Sequence, residues 1–420
     1  MRRRVFAADL VYLVIAGGGG LFFTVAFTLS AIYRVREAGL SPFQLVLLGT
    51  ALEGAVLLCE VPTGVVADLY SRRLSVIIGY ALIGVGITLE GAIPRFETIL
   101  LAQILWGVGL TFTSGAETAW LADEVGEERA GRLYLRAAQL GQVGAVVGIL
   151  GSVALASVRL NLPLLVGGML FIALAGFLVL AMPERGFAPT PRGERTTWRT
   201  GLHTARDGVR VVRGHRVLGT IFLIIAISGA ASEAFDRLWE IHFLENFAFP
   251  AVGDLSDLVW FGIIDGGALL IGIGAAEVVR RRLDTTDVRA VARLLLVFNA
   301  GLAGAVLLFG LAWGFVGAAG AYWAVLLFRR LNEPLQAIWI NRGLDSGTRA
   351  TVLSLGSQSD AVGQVAGGPV LGAVASGISI RAALVTAGLV LSPVLVLYAR
   401  TLRHGGAAES SPAATGPPGA

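Results

Sequence analysis

Long apolar runs alternate with short polar gaps along almost the entire chain. Crossing a bilayer takes roughly 20 apolar residues. Twelve such runs can be placed, at 8–33, 43–68, 74–93, 97–121, 133–157, 162–182, 217–243, 257–279, 290–312, 316–341, 350–376 and 380–399. The pattern predicts an all-α integral membrane protein with twelve transmembrane helices. The first run follows Met1-Arg2-Arg3-Arg4, which resembles the start of a leader peptide. Its apolar core is too long for one and lacks a small-residue cleavage site, so it is expected to be a retained first span.

Arginine placement in the gaps predicts orientation. With the N-terminus in the cytoplasm, inside segments hold about 25 arginines, whereas the outside loops hold only Arg34, Arg36, Arg95, Arg159 and Arg381. Both termini are therefore expected to be cytoplasmic, in the cell membrane. The longest polar segment divides the spans six and six. The expected organisation is a first half at 1–182, a cytoplasmic linker at 183–216, a second half at 217–403 and a disordered tail at 404–420. Within the linker, Trp198, Leu202, Ala205, Val209 and Val212 recur at helical spacing opposite Arg199, Arg206, Arg210 and Arg213. That suits an amphipathic helix on the membrane surface; a solvated basic linker is the alternative.

An ordered internal repeat supports the division. Glu117-x-x-Trp120, Arg129-Ala130, Gln139 and Gly141-Gln142-Val143 in the fourth and fifth spans correspond to Gln336-x-x-Trp339, Arg349-Ala350, Gln358 and Gly363-Gln364-Val365 in the tenth and eleventh.

Composition narrows the function. Over half the chain is hydrophobic and only 15% is charged, too little to cover a soluble protein of 420 residues. The basic balance does not indicate nucleic acid, because the arginines sit in short loops rather than on one face. All 33 basic residues are arginine. Without lysine there is neither a phosphate-binding P-loop nor a Schiff base. Cys59 stands alone inside an apolar run, and His203, His215, His242 and His404 have no metal-ligand spacing, so no cofactor or metal is expected.

The gap between the second and third spans reads Gly64-Val65-Val66-Ala67-Asp68-Leu69-Tyr70-Ser71-Arg72-Arg73. It resembles the loop signature of the major facilitator superfamily, with Gly64, Ala67, Asp68, Arg72 and Arg73 matching and Ser71 replacing the second glycine. The resemblance implies a polytopic secondary transporter, especially a bacterial drug exporter, with two six-helix halves related by a pseudo-twofold axis along the membrane normal. It also implies a latch on the cytoplasmic side of the outward-open state. There Asp68 would accept hydrogen bonds from Arg72 and from a neighbouring helix N-terminus. The alternative is that the arginines only hold the loop inside. Two features depart from the exporters: Gln103 stands where they often carry arginine, and the glycine-proline element appears in the eleventh span, at Gly367-Gly368-Pro369, rather than the fifth.

Ionisable groups cost about 2.5–3.5 kcal/mol each at mid-bilayer on insertion scales and are tolerated when paired or facing water. Here they are Glu53, Glu60, Glu90, Glu117, Glu233, Asp236, Glu240, Asp265, Glu333 and Asp360, against Arg237, Arg329 and Arg330. Glu53 and Asp360 lie at matched mid-membrane depth on the second and eleventh spans, which pack together in the superfamily. They are the expected coupling residues for a proton or a cationic substrate. Glu333 is one turn from Arg329 and Arg330, permitting a pair within the tenth helix that either switches in the cavity or clamps two helices. Glu233, Asp236, Arg237 and Glu240, with Asp265, form an outer charged cluster, either a gate network or merely wet residues. Glu60, Glu117 and Glu277 lie toward the cytoplasmic end, where pairing with loop arginines is expected.

The favoured function is proton-coupled efflux of a lipophilic or amphipathic small molecule, by a monomer in contact with membrane lipid. Trp106, Trp120, Trp239, Trp260, Trp323 and Trp339 offer stacking surfaces or interfacial anchors. A nutrient permease or facilitator is the alternative. A membrane-embedded enzyme or assembly factor is remote, since no nucleophile–base or metal set appears.

Overall fold

A computed structural model describes residues 6–188, 216–253, 255–282, 288–341 and 346–408. The expected amphipathic helix of the linker lies outside the described residues. All regular structure among them is helical. The spans are Ala8–Arg36, Pro42–Leu69, Arg72–Ala92, Phe96–Val125, Glu127–Ala156 and Leu162–Ala181 in the first half. In the second half they are Arg216–Asn246, Asp257–Arg282, Val288–Leu311, Phe315–Asn341, Ser346–Gly377 and Ile380–Val390 continued by Ser392–Ala408. The last helix runs past His404, where a loose tail was expected.

Among the described residues, ten helices are long and apolar enough to cross a membrane by length and composition alone. The tenth and eleventh spans are long enough but carry Arg329, Arg330, Glu333 and Asp360 in their interiors. These two polar helices line the central cavities, which explains how charge is tolerated in them. Leu58, Leu150, Leu180, Leu270 and Val316 are two-thirds exposed or more on the outer surface, an arrangement suited to lipid.

Two spans are broken where the sequence demands it. In the first, Thr24 and Thr28 hydroxyls donate to the carbonyls of Gly20 and Thr24, both at 2.8 Å, and the helix breaks at Leu29 before resuming at Ser30. In the fourth, Gly115 adopts φ +70°, a left-handed conformation that glycine accepts without strain, and separates Phe96–Thr113 from Ala116–Val125.

Neighbour relations repeat between the halves. The first span packs on the fifth as the seventh packs on the eleventh, and the third lies between fourth and sixth as the ninth lies between tenth and twelfth. Across the halves, the second packs on the eleventh and the eighth on the fifth. This pseudo-twofold exchange is what the sequence repeat predicts. The first half buries its apolar side chains in one cluster that continues into the second half. A smaller cluster around Phe222, Leu295, Leu335 and Tyr398 packs separately near the termini.

The first helix starts and the last helix ends at one end of the bundle, and the contacts between halves concentrate toward the opposite, far end. Arg36 pairs with Asp257 there, and the Phe43 N–H donates to Ser376 Oγ at 2.8 Å. Gly368 and Gly372 of the eleventh span lie against Thr50, Val46 and Phe43 of the second, so small residues set the approach of the halves. Gly262 of the eighth faces Val153 and Ile149 of the fifth. Each of these positions falls in the far half of its helix, so the far end is closed.

Candidate transport pathway

Three cavities follow the pathway. One of about 550 Å³ lies within the second half and is lined by polar groups including Ser232, Asn299, Asn332, Gln336, Asp360 and Gln364. A second, about 720 Å³, lies between the halves, bounded by the first, fifth, eighth and tenth spans. A third, about 270 Å³, sits near the far end between both halves. Asp236 lines the first and third, Asp265 the second and third, and Glu333 the first and second.

Glu53 and Asp360 lie within electrostatic reach of each other across the halves. Glu53, half-buried on the second span, is within electrostatic reach of Glu233, Arg237 and Asp360, all from the other half. Asp360 faces the 550 Å³ cavity and accepts a hydrogen bond from Gln364 Nε2 at 2.8 Å. Glu233 is 1% exposed and pairs with Arg237 at 3.2 Å one turn away. Gly49 of the second span makes room for this pair, because a β-carbon there would collide with both side chains.

The pair that spacing permits within the tenth span forms with Arg330 and not with Arg329. Arg329 turns away from Glu333 to bind Asp236 of the seventh span, and its guanidinium lies 4.9 Å from the Phe235 ring centre. Arg330 and Glu333 do pair, at 3.4 Å, but both are more than half exposed. Both line the 720 Å³ cavity. Within the outer cluster Glu233 is 1% and Glu240 6% exposed, because the seventh helix extends to Asn246 and places them well inside it, whereas the Asp236 side chain is 45% exposed.

Two buried carboxylates have partners that spacing did not reveal. Arg34 was assigned to an outside loop. It continues the first span instead, is buried, and binds Glu90 of the third span at 2.7 Å. Gln103 donates to the other Glu90 oxygen at 2.7 Å, and the Tyr33 hydroxyl to the Glu90 carbonyl at 2.8 Å. The residue standing in place of the exporters' arginine thus completes a buried ion pair. Glu117 accepts from the Tyr80 hydroxyl at 2.7 Å rather than from a loop arginine. Removing the Glu90 carboxylate, as Glu90→Ala, strands a buried guanidinium. The expected cost is about 3–5 kcal/mol, measured as a lower unfolding midpoint in detergent. An unchanged midpoint would show that the Arg34–Glu90 pair contributes nothing net.

The loop motif holds the first half together at the terminal end. Arg72 pairs with Asp123 of the fourth span and donates to the Ala119 carbonyl at 3.0 Å. Its approach to Asp68 is only 3.8 Å, and Asp68 is 60% exposed. The expected hydrogen bond between Asp68 and Arg72 is therefore not formed in this conformation. Ser71 explains its own departure from glycine. Its backbone is extended, its hydroxyl caps the third span by accepting from Leu74 N–H at 2.9 Å, and it donates to Glu184. Gly64 and Ala67 lie on the second span, and Arg73 donates to the Val179 carbonyl at 2.7 Å.

Twelve spans in two halves with matching neighbour relations, packed together at one end around polar cavities, have the architecture of a membrane transporter. The chain belongs to the Major Facilitator Superfamily, which it matches over residues 11–340. It is 21% identical over 356 residues to an uncharacterized MFS-type transporter, YxaM, of Bacillus subtilis strain 168, covering 84% of this chain and 86% of that one. Among solved structures it resembles the nucleoside transporter NupG, with TM-score 0.72 and 14% identity over 94% of this chain and 98% of that one. It also resembles a bacterial homologue of the human lysosomal transporter Spinster in an inward-facing, unoccupied conformation. There the TM-score is 0.71 at 15% identity, over 97% and 98% of the two chains.

Proposed function

We propose that the chain is a proton-coupled exporter of an amphipathic small molecule, acting as a monomer in the cell membrane with both termini cytoplasmic. The observation that carries this reading is the surroundings of Glu53. Its charged neighbours, Glu233, Arg237 and Asp360, all belong to the opposite half. Opening the far end separates Glu53 from them, so its proton affinity differs between the two conformations. A difference of that kind is the thermodynamic requirement for coupling proton movement to alternating access. The closed far end then corresponds to an inward-open state. Asp68 lies 3.8 Å from Arg72 without a hydrogen bond, as expected of a latch that tightens only in the outward-open state.

Orientation is testable by itself. In a Cys59→Ser background, a cysteine replacing Arg192 is expected to resist membrane-impermeant maleimide added to intact cells and to react once the membrane is opened. Strong labelling in intact cells would invert the topology.

A second reading, uptake of a polar nutrient, is favoured by the serines and amides of the 550 Å³ cavity, which suit a hydrogen-bonding solute. Purified protein in liposomes, given a panel of amphipathic amines and polar solutes such as nucleosides, separates the two. Export predicts exchange of substrate against protons. Uptake predicts accumulation of a polar solute together with protons or down its own gradient.

A further inference from the structure

The far-end chamber of about 270 Å³ combines aromatic walls with two carboxylates, Glu240 and Asp265, that make no ion pair among the described residues; Glu240 meets Arg34 and Arg237 only at electrostatic range. Phe23, Phe27 and Trp106 line it from the first half, and Trp239 and Tyr322 from the second. Phe27 stacks on Trp106 at 4.5 Å and Trp239 on Tyr322 at 4.4 Å, so the walls are held in place by each other. Three arginines at or beside the chamber are already matched: Arg34 by Glu90, Arg237 by Glu233 and Arg329 by Asp236. Glu240 and Asp265 are left over. Glu240 is 6% exposed, lines the chamber, and has no hydrogen bond or ion pair among the described residues. Asp265 faces it from the eighth span, within electrostatic reach, and likewise has no such partner among the described residues.

A buried carboxylate keeps its charge in such a cavity only where a cation is at hand, and Arg34 and Arg237 are each already paired with another carboxylate. A cation between two carboxylates and against aromatic faces meets that need. Asp265 also lines the 720 Å³ cavity, whose walls include Ala138, Ala145, Ile149, Leu269 and Leu326. A charged head in the chamber can therefore carry an apolar body that extends into the larger space. Neutral polar solutes use neither feature.

We propose that Glu240 and Asp265 bind the charged head of an amphipathic organic cation, such as an alkyl- or arylammonium, in the far-end chamber. The proposal names the substrate class for the amphipathic-substrate reading above and rests on it. Trp106 and Trp239 are the aromatic faces that such a head meets.

The test uses the full chain in lipid nanodiscs, with benzyltrimethylammonium and its uncharged carbon isostere neopentylbenzene as probes, followed by tryptophan fluorescence and calorimetry. The wild type is expected to bind the cation at least about tenfold more tightly than the isostere, the ratio expected for a desolvated cation among aromatic rings. Glu240→Gln and Asp265→Asn should each reduce that preference, and the double variant should erase it. Glu97→Gln, exposed at the far end, should keep it and so exclude general surface attraction. Equal affinity for the two probes, or binding of neither, in the wild type overturns the proposal without relying on any variant's folding. Unchanged preference in folded Glu240→Gln and Asp265→Asn also overturns it. A wild type that binds the cation but does not move it in a proton gradient keeps this site and removes the coupling reading.

Discussion

Replacing Glu53 by glutamine, or Asp360 by asparagine, is expected to abolish substrate accumulation driven by a pH gradient in proteoliposomes while substrate exchange remains measurable. With one proton exchanged per substrate, a gradient of one pH unit sustains about a tenfold concentration ratio, worth ~1.4 kcal/mol. Either variant should bring that ratio to about one. The physical reason is geometric. The second and eleventh spans meet across the halves, and opening the far end would part Glu53 from Asp360 and from its other charged neighbours there. Glutamine and asparagine keep shape and hydrogen bonding but exchange no proton, so the conformational cycle survives without its link to the gradient. If both variants still concentrate substrate with wild-type pH dependence, the coupling site lies elsewhere, with Glu333 and Asp236 next to examine. A wild type indifferent to the gradient would replace the exporter with a facilitator.

A bulky side chain at Gly372 is the second change with a large expected effect. A β-carbon there already comes within 3.2 Å of Val46 Cβ and 3.3 Å of Phe43 Cδ2, so even alanine requires the neighbours to give slightly. Gly372→Leu adds carbons that have no space between the second and eleventh spans. The far end should then fail to close, with transport falling to about a tenth or less while the protein still inserts and folds. Cysteine accessibility gives the direct measurement. A cysteine replacing Leu45, which is 2% exposed beside the far-end chamber, should become reactive from the far side in the Gly372→Leu background. Gly372→Ala should fall between the two. Wild-type transport by Gly372→Leu would mean that this contact does not limit closure.

Spans, their number and the six-plus-six repeat were legible because hydropathy and spacing are local properties. The pairing of the second and eleventh spans came from the family resemblance in the loop motif, and the neighbour relations agree with it. Side-chain partners were a different matter. Spacing along one helix suggested Arg329 with Glu333, but Asp236, 93 positions away, is what the guanidinium meets. Arg34 was misplaced because the apolar run ends at Tyr33, although the helix continues beyond the break at Leu29. Its partner is 56 positions distant, a separation no periodicity encodes. The burial of Glu240 was hidden by the same limit: an apolar run shows where a helix crosses, not which of its faces meets the other half.

The ownership of the cavities has a pharmacological consequence. The 550 Å³ cavity is walled by residues of the second half alone, from Ile225 to Leu391, so a compound filling it rides with that half through the cycle. Such a compound leaves movement between the halves free. The 720 Å³ cavity is walled by both halves, with Thr24 and Gln142 on one side and Leu269 and Pro334 on the other. A rigid compound lodged there is a wedge that arrests the cycle whatever the cargo. Compounds of the second kind should compete with an amphipathic cation whose body enters that cavity, and should hold the transporter in one conformation for structural capture.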